Sequence, residues 1–175
     1  GDQAATDQAV DKDGWLLTGD LGRIESDGCL RITGRRKNVL VTAAGKNIVP
    51  GRIERNLSAI SLISHCMVVG DDRPYLAALV TVGAVRISDW ARRNGVLCED
   101  VRKLRSDMRL FKELESEVDA MNNGLAPHER VRRFAILDTE FSVESGELTH
   151  DFKLRRGVIV TRYRDVIEML YRDRY

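Results

Sequence analysis

The sequence predicts an α+β fold of small antiparallel sheets flanked by helices, and three observations lead there. Two short hairpins stand near the start, turning at Ser26-Asp27-Gly28 and at Ala43-Ala44-Gly45-Lys46. Two β-branched, apolar runs follow at residues 64–69 and 75–82. Segments with a helical apolar repeat then surround a third such run at 131–137. Strand pairs and helices in that order make a small layered domain with one central core.

The elements are justified in order. The chain opens without Met, on residues 1–6 that read as a polar helix entered partway, so the expectation is a piece of a longer protein. Residues 21–25 and 29–33 are strand-like, and Gly28 supplies the backbone freedom their turn requires. Residues 38–42 and 47–49 form the second hairpin. Between the hairpins, Gly34-Arg35-Arg36-Lys37 is polar and glycine-led, the best linker in the chain. Pro50 suits the first turn of a helix whose apolar face is Ile53, Leu57 and Ile60. The runs at 64–69 and 75–82 pair antiparallel across Gly70-Asp71-Asp72-Arg73-Pro74. Ser88 and Asp89 are expected to cap a short helix through Trp90 to Arg93, stopped at Asn94-Gly95. Leu110, Leu114, Val118 and Met121 stripe a longer helix, and Val160, Tyr163, Ile167 and Leu170 a single closing one.

Composition excludes more than it assigns. Hydrophobic residues make up 43% and charged residues 31% of 175 positions, ordinary for a globular protein. A net charge of +1 gives no global attraction to nucleic acid. Cys29, Cys66 and Cys98 are widely separated, without metal-ligand or redox spacing, and read as incidental thiols of a reducing cytoplasm. No apolar run approaches the roughly 20 residues of a membrane span.

Four stretches carry chemistry. Asp20, in Thr18-Gly19-Asp20, places a carboxylate where it can either cap a turn or accept both hydroxyls of a ribose. Arg35, returned toward it by the hairpin, can brace that carboxylate or reach the same ribose with its planar fork. Ala43-Ala44-Gly45-Lys46 is not a P-loop, because Leu40 stands where a glycine is needed and Asn47 where Ser or Thr is. Its small residues serve either a tight turn or a slender ligand passing close to backbone. Residues 142–156 form a polar stretch with one lysine, Lys153, and a lysine on a mobile loop can bring positive charge to a developing oxyanion. His65, His128, Trp90 and Phe111 read as packing or loop residues, and Arg130, Arg132 and Arg133 as one solvated strand face.

Together, Asp13-Gly14-Trp15-Leu16-Leu17-Thr18-Gly19-Asp20, Gly34-Arg35-Arg36-Lys37-Asn38, Ala43-Ala44-Gly45-Lys46-Asn47-Ile48-Val49-Pro50 and Ile53-Glu54 resemble the signature of AMP-forming acyl-CoA synthetases. Gly146-Glu147-Leu148-Thr149 through Lys153-Leu154-Arg155-Arg156 resembles the long-chain fatty-acid branch, as does Arg73-Pro74-Tyr75-Leu76.

The resemblance implies a two-step reaction. A fatty acid and ATP give acyl-AMP and pyrophosphate, and CoA then displaces AMP. It implies residues 1–36 as the tail of a large N-terminal adenylation domain and 37–175 as a C-terminal lid that reorients between steps. Asp20 would bind the ribose with Arg35 assisting, and Lys37 would be the hinge. Ala44, Gly45 and Lys46 would border the CoA channel, and Lys153 would be the catalytic lysine of adenylation. Mg2+ would enter with ATP and be held mainly by the N-terminal domain, no metal ligand being assigned here. The location implied is cytoplasmic, compatible with peripheral membrane contact. The fragment alone is expected to be inactive.

Four positions depart from the pattern: His150-Asp151 replaces a Pro-Thr, Ala44 a common glycine, and Arg52 a glutamate. Two alternatives stand beside this reading, an acyl-AMP ligase loading a carrier protein and a non-catalytic α+β interaction module.

Overall fold

Strand β6 (Leu76–Val82) organises the molecule, because every one of its residues is buried. A strand covered on both faces is a continuous apolar run instead of an alternating one, as Leu-Ala-Ala-Leu-Val-Thr-Val is. The computed structural model describes residues 3–96 and 101–172, so Cys98 lies outside the described residues.

In chain order, helix α1 (Gln3–Ala9) precedes a hairpin of β1 (Asp20–Ile24) and β2 (Leu30–Arg35), and a 3-10 turn occupies Arg36–Asn38. Strands β3 (Leu40–Val41) and β4 (Asn47–Ile48) form the second hairpin, followed by α2 (Pro50–Ser58), β5 (Ile63–Val69) and β6. Helices α3 (Ala84–Arg93), α4 (Val101–Leu104) and α5 (Met108–Asn122) lead to β7 (Val131–Ile136), and α6 (Arg156–Arg162) and α7 (Arg164–Tyr171) close the described chain.

The main sheet has the order β5-β6-β7. It departs from the expected antiparallel character, since β5 pairs β6 antiparallel but β7 pairs β6 parallel. The cause is the connection. Helices α3 to α5 carry the chain back to the starting end of β6, and such a helical crossover delivers a parallel strand.

Each sheet face has its own core. Leu76, Ala78, Val80 and Val82 project toward Ile53 and Leu57 of α2, Ile87 and Trp90 of α3, and Leu110 and Leu114 of α5. Ala77 and Leu79 project to the other side, with Met67, Leu148, Ile159, Ile167 and Leu170. This alternation along β6 is the two-residue period of a strand.

Two helices differ from expectation. Helix α3 starts at Ala84, four residues before the anticipated Ser88 cap, and Ile87 N–H donates to Gly83 O at 2.9 Å. Buried Ile87 anchors that first turn, and Ala84 N–H donates to Glu140 Oε1 at 3.4 Å where Gly83 offers no side-chain cap. The closing stripe is two helices meeting at Tyr163, whose φ of −104° and ψ of 24° break the repeat. Ile159 is the buried residue there, and Val160 is exposed. Arg133 also leaves the solvated strand face, lying over the Tyr75 ring and donating to Leu170 O at 3.2 Å.

Candidate functional site

Asp20 and Arg35 face each other as partners across the β1–β2 hairpin, and Arg35 Nε lies 2.9 Å from Asp20 Oδ1. The Asp20 backbone is set by Gly19 at a φ of +71° and by its own N–H donating to Thr18 Oγ1 at 3.1 Å. Both side chains stay accessible, at 30% for Asp20 and 55% for Arg35, so Arg35 braces the carboxylate without sealing it from a ligand. Arg36 N–H donates to Gly19 O at 2.8 Å, placing the 3-10 turn with Lys37 immediately beside this pair. Lys37 is exposed.

The linker is less isolated than its polarity predicted. A Cβ at Gly34 would stand 2.5 Å from Val49 Cγ1, so the glycine lets β2 pass close against the end of the second hairpin.

The turn at Ala43-Ala44-Gly45-Lys46 is exposed and pinned from beneath. Buried Thr42 receives Lys46 N–H on its hydroxyl at 3.2 Å, and Gly45 takes a φ of +71°. Ala43 N–H donates to Arg73 O at 3.0 Å, Asp72 N–H to Val41 O at 2.8 Å, and Val41 N–H to Asp71 Oδ1 at 2.9 Å. Arg73 is held in turn by an ion pair with Glu168 of α7. Ala44, Gly45 and Lys46 therefore ride on a well-supported turn, and they do not line the cleft that holds Lys153.

Lys153 sits on a tighter segment than the mobile loop expected from its polar sequence. Leu148 and Leu154 bridge antiparallel, Thr149 N–H donates to Lys153 O at 2.9 Å, and Phe152 N–H donates to Thr149 O at 2.8 Å. Phe152, at a φ of +56° and exposed, turns the chain just before the lysine. The base of this hairpin is clasped by Glu147, buried at 1% exposure, which accepts from the Ser145 hydroxyl and Arg162. Lys153 Nζ itself is 3.7 Å from Asp151 Oδ2, a solvent-facing pair that restrains it little.

A cleft of about 960 Å³ joins these parts, lined by Arg35, Lys37 and Asn38, by Gly51 and Glu54 of α2, and by residues 153–158. Among its described lining residues five side chains are cationic, Arg35, Lys37, Lys153, Arg155 and Arg156, against one carboxylate, Glu54. Such a cleft concentrates field on an anion. Lys153 and Arg35, more than a hundred positions apart in sequence, thus share one cavity.

Glu54 and Arg156 stand within the sequence motifs without an evident task there. Arg156 Nη2 lies 2.5 Å from Glu54 Oε2, and Glu54 Oε1 accepts Val68 N–H at 2.8 Å. The signal available was a charged residue, Glu54, on the face of α2 that also carries Ile53 and Leu57. Among the described residues no group of His, Cys, Asp or Glu is arranged to hold a metal ion, and no helix is long and apolar enough to cross a membrane.

The fold and the cleft can be set beside known adenylate-forming proteins. Residues 37–175 match the family described as AMP-binding enzyme C-terminal domain, and the chain belongs to it. It is 39% identical over 171 residues to the long-chain-fatty-acid–CoA ligase FadD15 of Mycobacterium tuberculosis, covering 97% of this chain and 28% of that protein. It is 31% identical over 186 residues to the human long-chain-fatty-acid–CoA ligase ACSBG1, covering 96% and 26%. Among solved structures, the adenylation domain of a carboxylate reductase from Mycobacterium chelonae superposes with a TM-score of 0.78 at 26% identity, over 98% of this chain and 25% of that one. The chain thus spans about a quarter of the length of the relatives it matches.

Proposed function

We propose that this chain is the C-terminal part of a long-chain fatty-acid–CoA ligase, with residues 37–175 as the reorienting lid and residues 1–36 as the tail of an N-terminal adenylation domain. The observation that carries the reading is the shared cleft, in which Lys153 and the Asp20-braced Arg35 line one cationic cavity.

In the first half-reaction the fatty-acid carboxylate attacks the α-phosphate of ATP, and pyrophosphate leaves. Lys153 places its ammonium where negative charge accumulates between carboxylate and α-phosphate. Asp20 accepts the ribose hydroxyls, with Arg35 holding the carboxylate in register. Mg2+ would enter with the triphosphate and offset its charge, and no described residue of this chain is assigned to hold it.

In the second half-reaction rotation about Lys37 withdraws Lys153 and presents the Ala44-Gly45-Lys46 turn, beside which the CoA thiol reaches the adenylate and displaces AMP. Hinge residues are element-terminal positions that absorb φ/ψ change, and the short 3-10 turn at Arg36–Asn38 has that character. The exposed Trp15, Leu16 and Leu17, and the exposed Ile24, Leu30 and Ile32 of the hairpin after them, fit a surface covered by the rest of an adenylation domain. The location proposed is cytoplasmic, with any membrane contact peripheral.

A second reading, an adenylating enzyme that loads a carrier protein, is favoured by the likeness to the A-PCP didomain of a carboxylic acid reductase from Segniliparus rugosus. The test is the fate of the adenylate. The enzyme with its N-terminal domain is expected to release pyrophosphate from ATP with a long-chain fatty acid and to form acyl-CoA when CoA is added. Consumption of acyl-AMP only by a phosphopantetheinyl carrier would establish the second reading instead. The 175 residues alone are predicted to form no acyl-CoA, and activity at the level of the whole enzyme would contradict the lid assignment.

A further inference from the structure

The described part of the cleft holds one carboxylate, and it is not free. Glu54, on α2, is 11% exposed at its side chain and Arg156, the first residue of α6, is 22% exposed. Their 2.5 Å contact joins residues 102 positions apart. The other Glu54 oxygen takes Val68 N–H of β5, so three elements meet at one carboxylate. Arg156 stands three residues beyond Lys153, separated only by Leu154, which closes the hairpin bridge, and Arg155, whose N–H donates to Glu147 O at 2.7 Å.

A largely buried ion pair contributes little net stability relative to apolar packing, and its best-attested use is to fix one arrangement among several. Here the thing fixed is the exit of the Lys153 hairpin relative to α2 and the sheet.

We infer that Glu54 and Arg156 are positioning residues for adenylation, anchoring the Lys153 hairpin to α2 so that the ammonium is held in the cleft shared with Arg35. The inference rests on the assignment of Lys153 proposed above. In this reading both residues act through the Lys153 hairpin and not on the substrate. Loss of the anchor lets the hairpin drift, and a displacement of about 1 Å in a reacting group can cost on the order of 100-fold in rate. The thioester-forming step does not use Lys153 and should feel the loss far less.

The test is a double-mutant cycle in the enzyme carrying its N-terminal domain. Arg156→Met, Arg156→Lys, Glu54→Gln, Lys153→Ala and the Lys153→Ala/Arg156→Met double variant are compared by fatty-acid-dependent ATP–pyrophosphate exchange, by CoA-dependent consumption of supplied acyl-AMP, and by thermal melting. Arg156→Met and Glu54→Gln should lower the kcat of adenylation about 10- to 100-fold with little change in KM for ATP, and Arg156→Lys should recover part of it. With Lys153 already removed, Arg156→Met should cost less than about twofold more, because interacting residues are non-additive.

Equal losses in both half-reactions, or full additivity in the cycle, would overturn the positioning role. Should Arg156→Met not fold, Glu54→Gln in the Lys153→Ala background gives the same cycle while keeping an acceptor for Val68 N–H. If Lys153→Ala alone leaves adenylation intact, the underlying assignment fails and the inference with it. If Lys153→Ala abolishes adenylation while Arg156→Met and Glu54→Gln are normal, only the inference fails.

Discussion

Arg35 Nε and Asp20 Oδ1 lie 2.9 Å apart across a two-stranded hairpin in which the two residues are register partners. The pair is solvent-accessible, and exposed ion pairs contribute only about 0–1 kcal/mol to folding. An arrangement worth so little to the fold is better explained by what it presents to a ligand. Asp20→Ala in the whole enzyme is therefore expected to raise KM for ATP by roughly 10- to 100-fold, the loss of hydrogen bonds worth about 1.5–3 kcal/mol to a charged group. Its melting temperature should barely move. A lowered melting temperature with unchanged KM would mark Asp20 as a turn cap.

Gly34 gives a second prediction, about the linker. Because an added Cβ would meet Val49 Cγ1 at 2.5 Å, and valine is stiff at χ1, Gly34→Ala should force β2 and the second hairpin apart. Overpacking of this kind costs about 1–3 kcal/mol, which denaturant unfolding would register. Stability equal to wild type would show that the hairpins are not coupled at this point.

Glu147 predicts the acid limb of stability. Burial pushes its pKa up, but hydrogen bonds from the Ser145 hydroxyl and the Arg162 guanidinium outweigh burial, leaving the carboxyl below its ordinary 4.5. A depressed folded pKa contributes stability that is present above the unfolded value and lost as pH falls through the folded one. Thermal melting followed downward from neutral pH should fall below about 4.5 in the wild type. Glu147→Gln should begin less stable at neutral pH and show a shallower decline. Parallel pH profiles would remove Glu147 from the acid transition.

Much of this was legible in the sequence, and the misses have definite causes. Residues 64–69 and 75–82 gave β5 and β6 because a doubly buried strand is continuously apolar. The direction of β7 was hidden, because Val131–Ile136 looks the same in either orientation and only the helical crossover decides it. Helix α3 was entered late because Ser88 and Asp89 look like a cap, whereas tertiary burial of Ile87 starts the helix earlier. At the site, the hairpin pairing of Asp20 with Arg35 followed from turn chemistry at Gly28. The convergence of Lys153 with Arg35, and the Glu54–Arg156 anchor, join residues about a hundred positions apart, and no local pattern encodes such a meeting.

Whether Lys153 serves one step of a two-step ligase is tested most directly by Lys153→Ala in the whole enzyme, with the half-reactions measured separately. Fatty-acid-dependent ATP–pyrophosphate exchange is expected to collapse while CoA still consumes supplied acyl-AMP at a rate close to wild type. Equal loss in both half-reactions, or retention of pyrophosphate exchange, would contradict it.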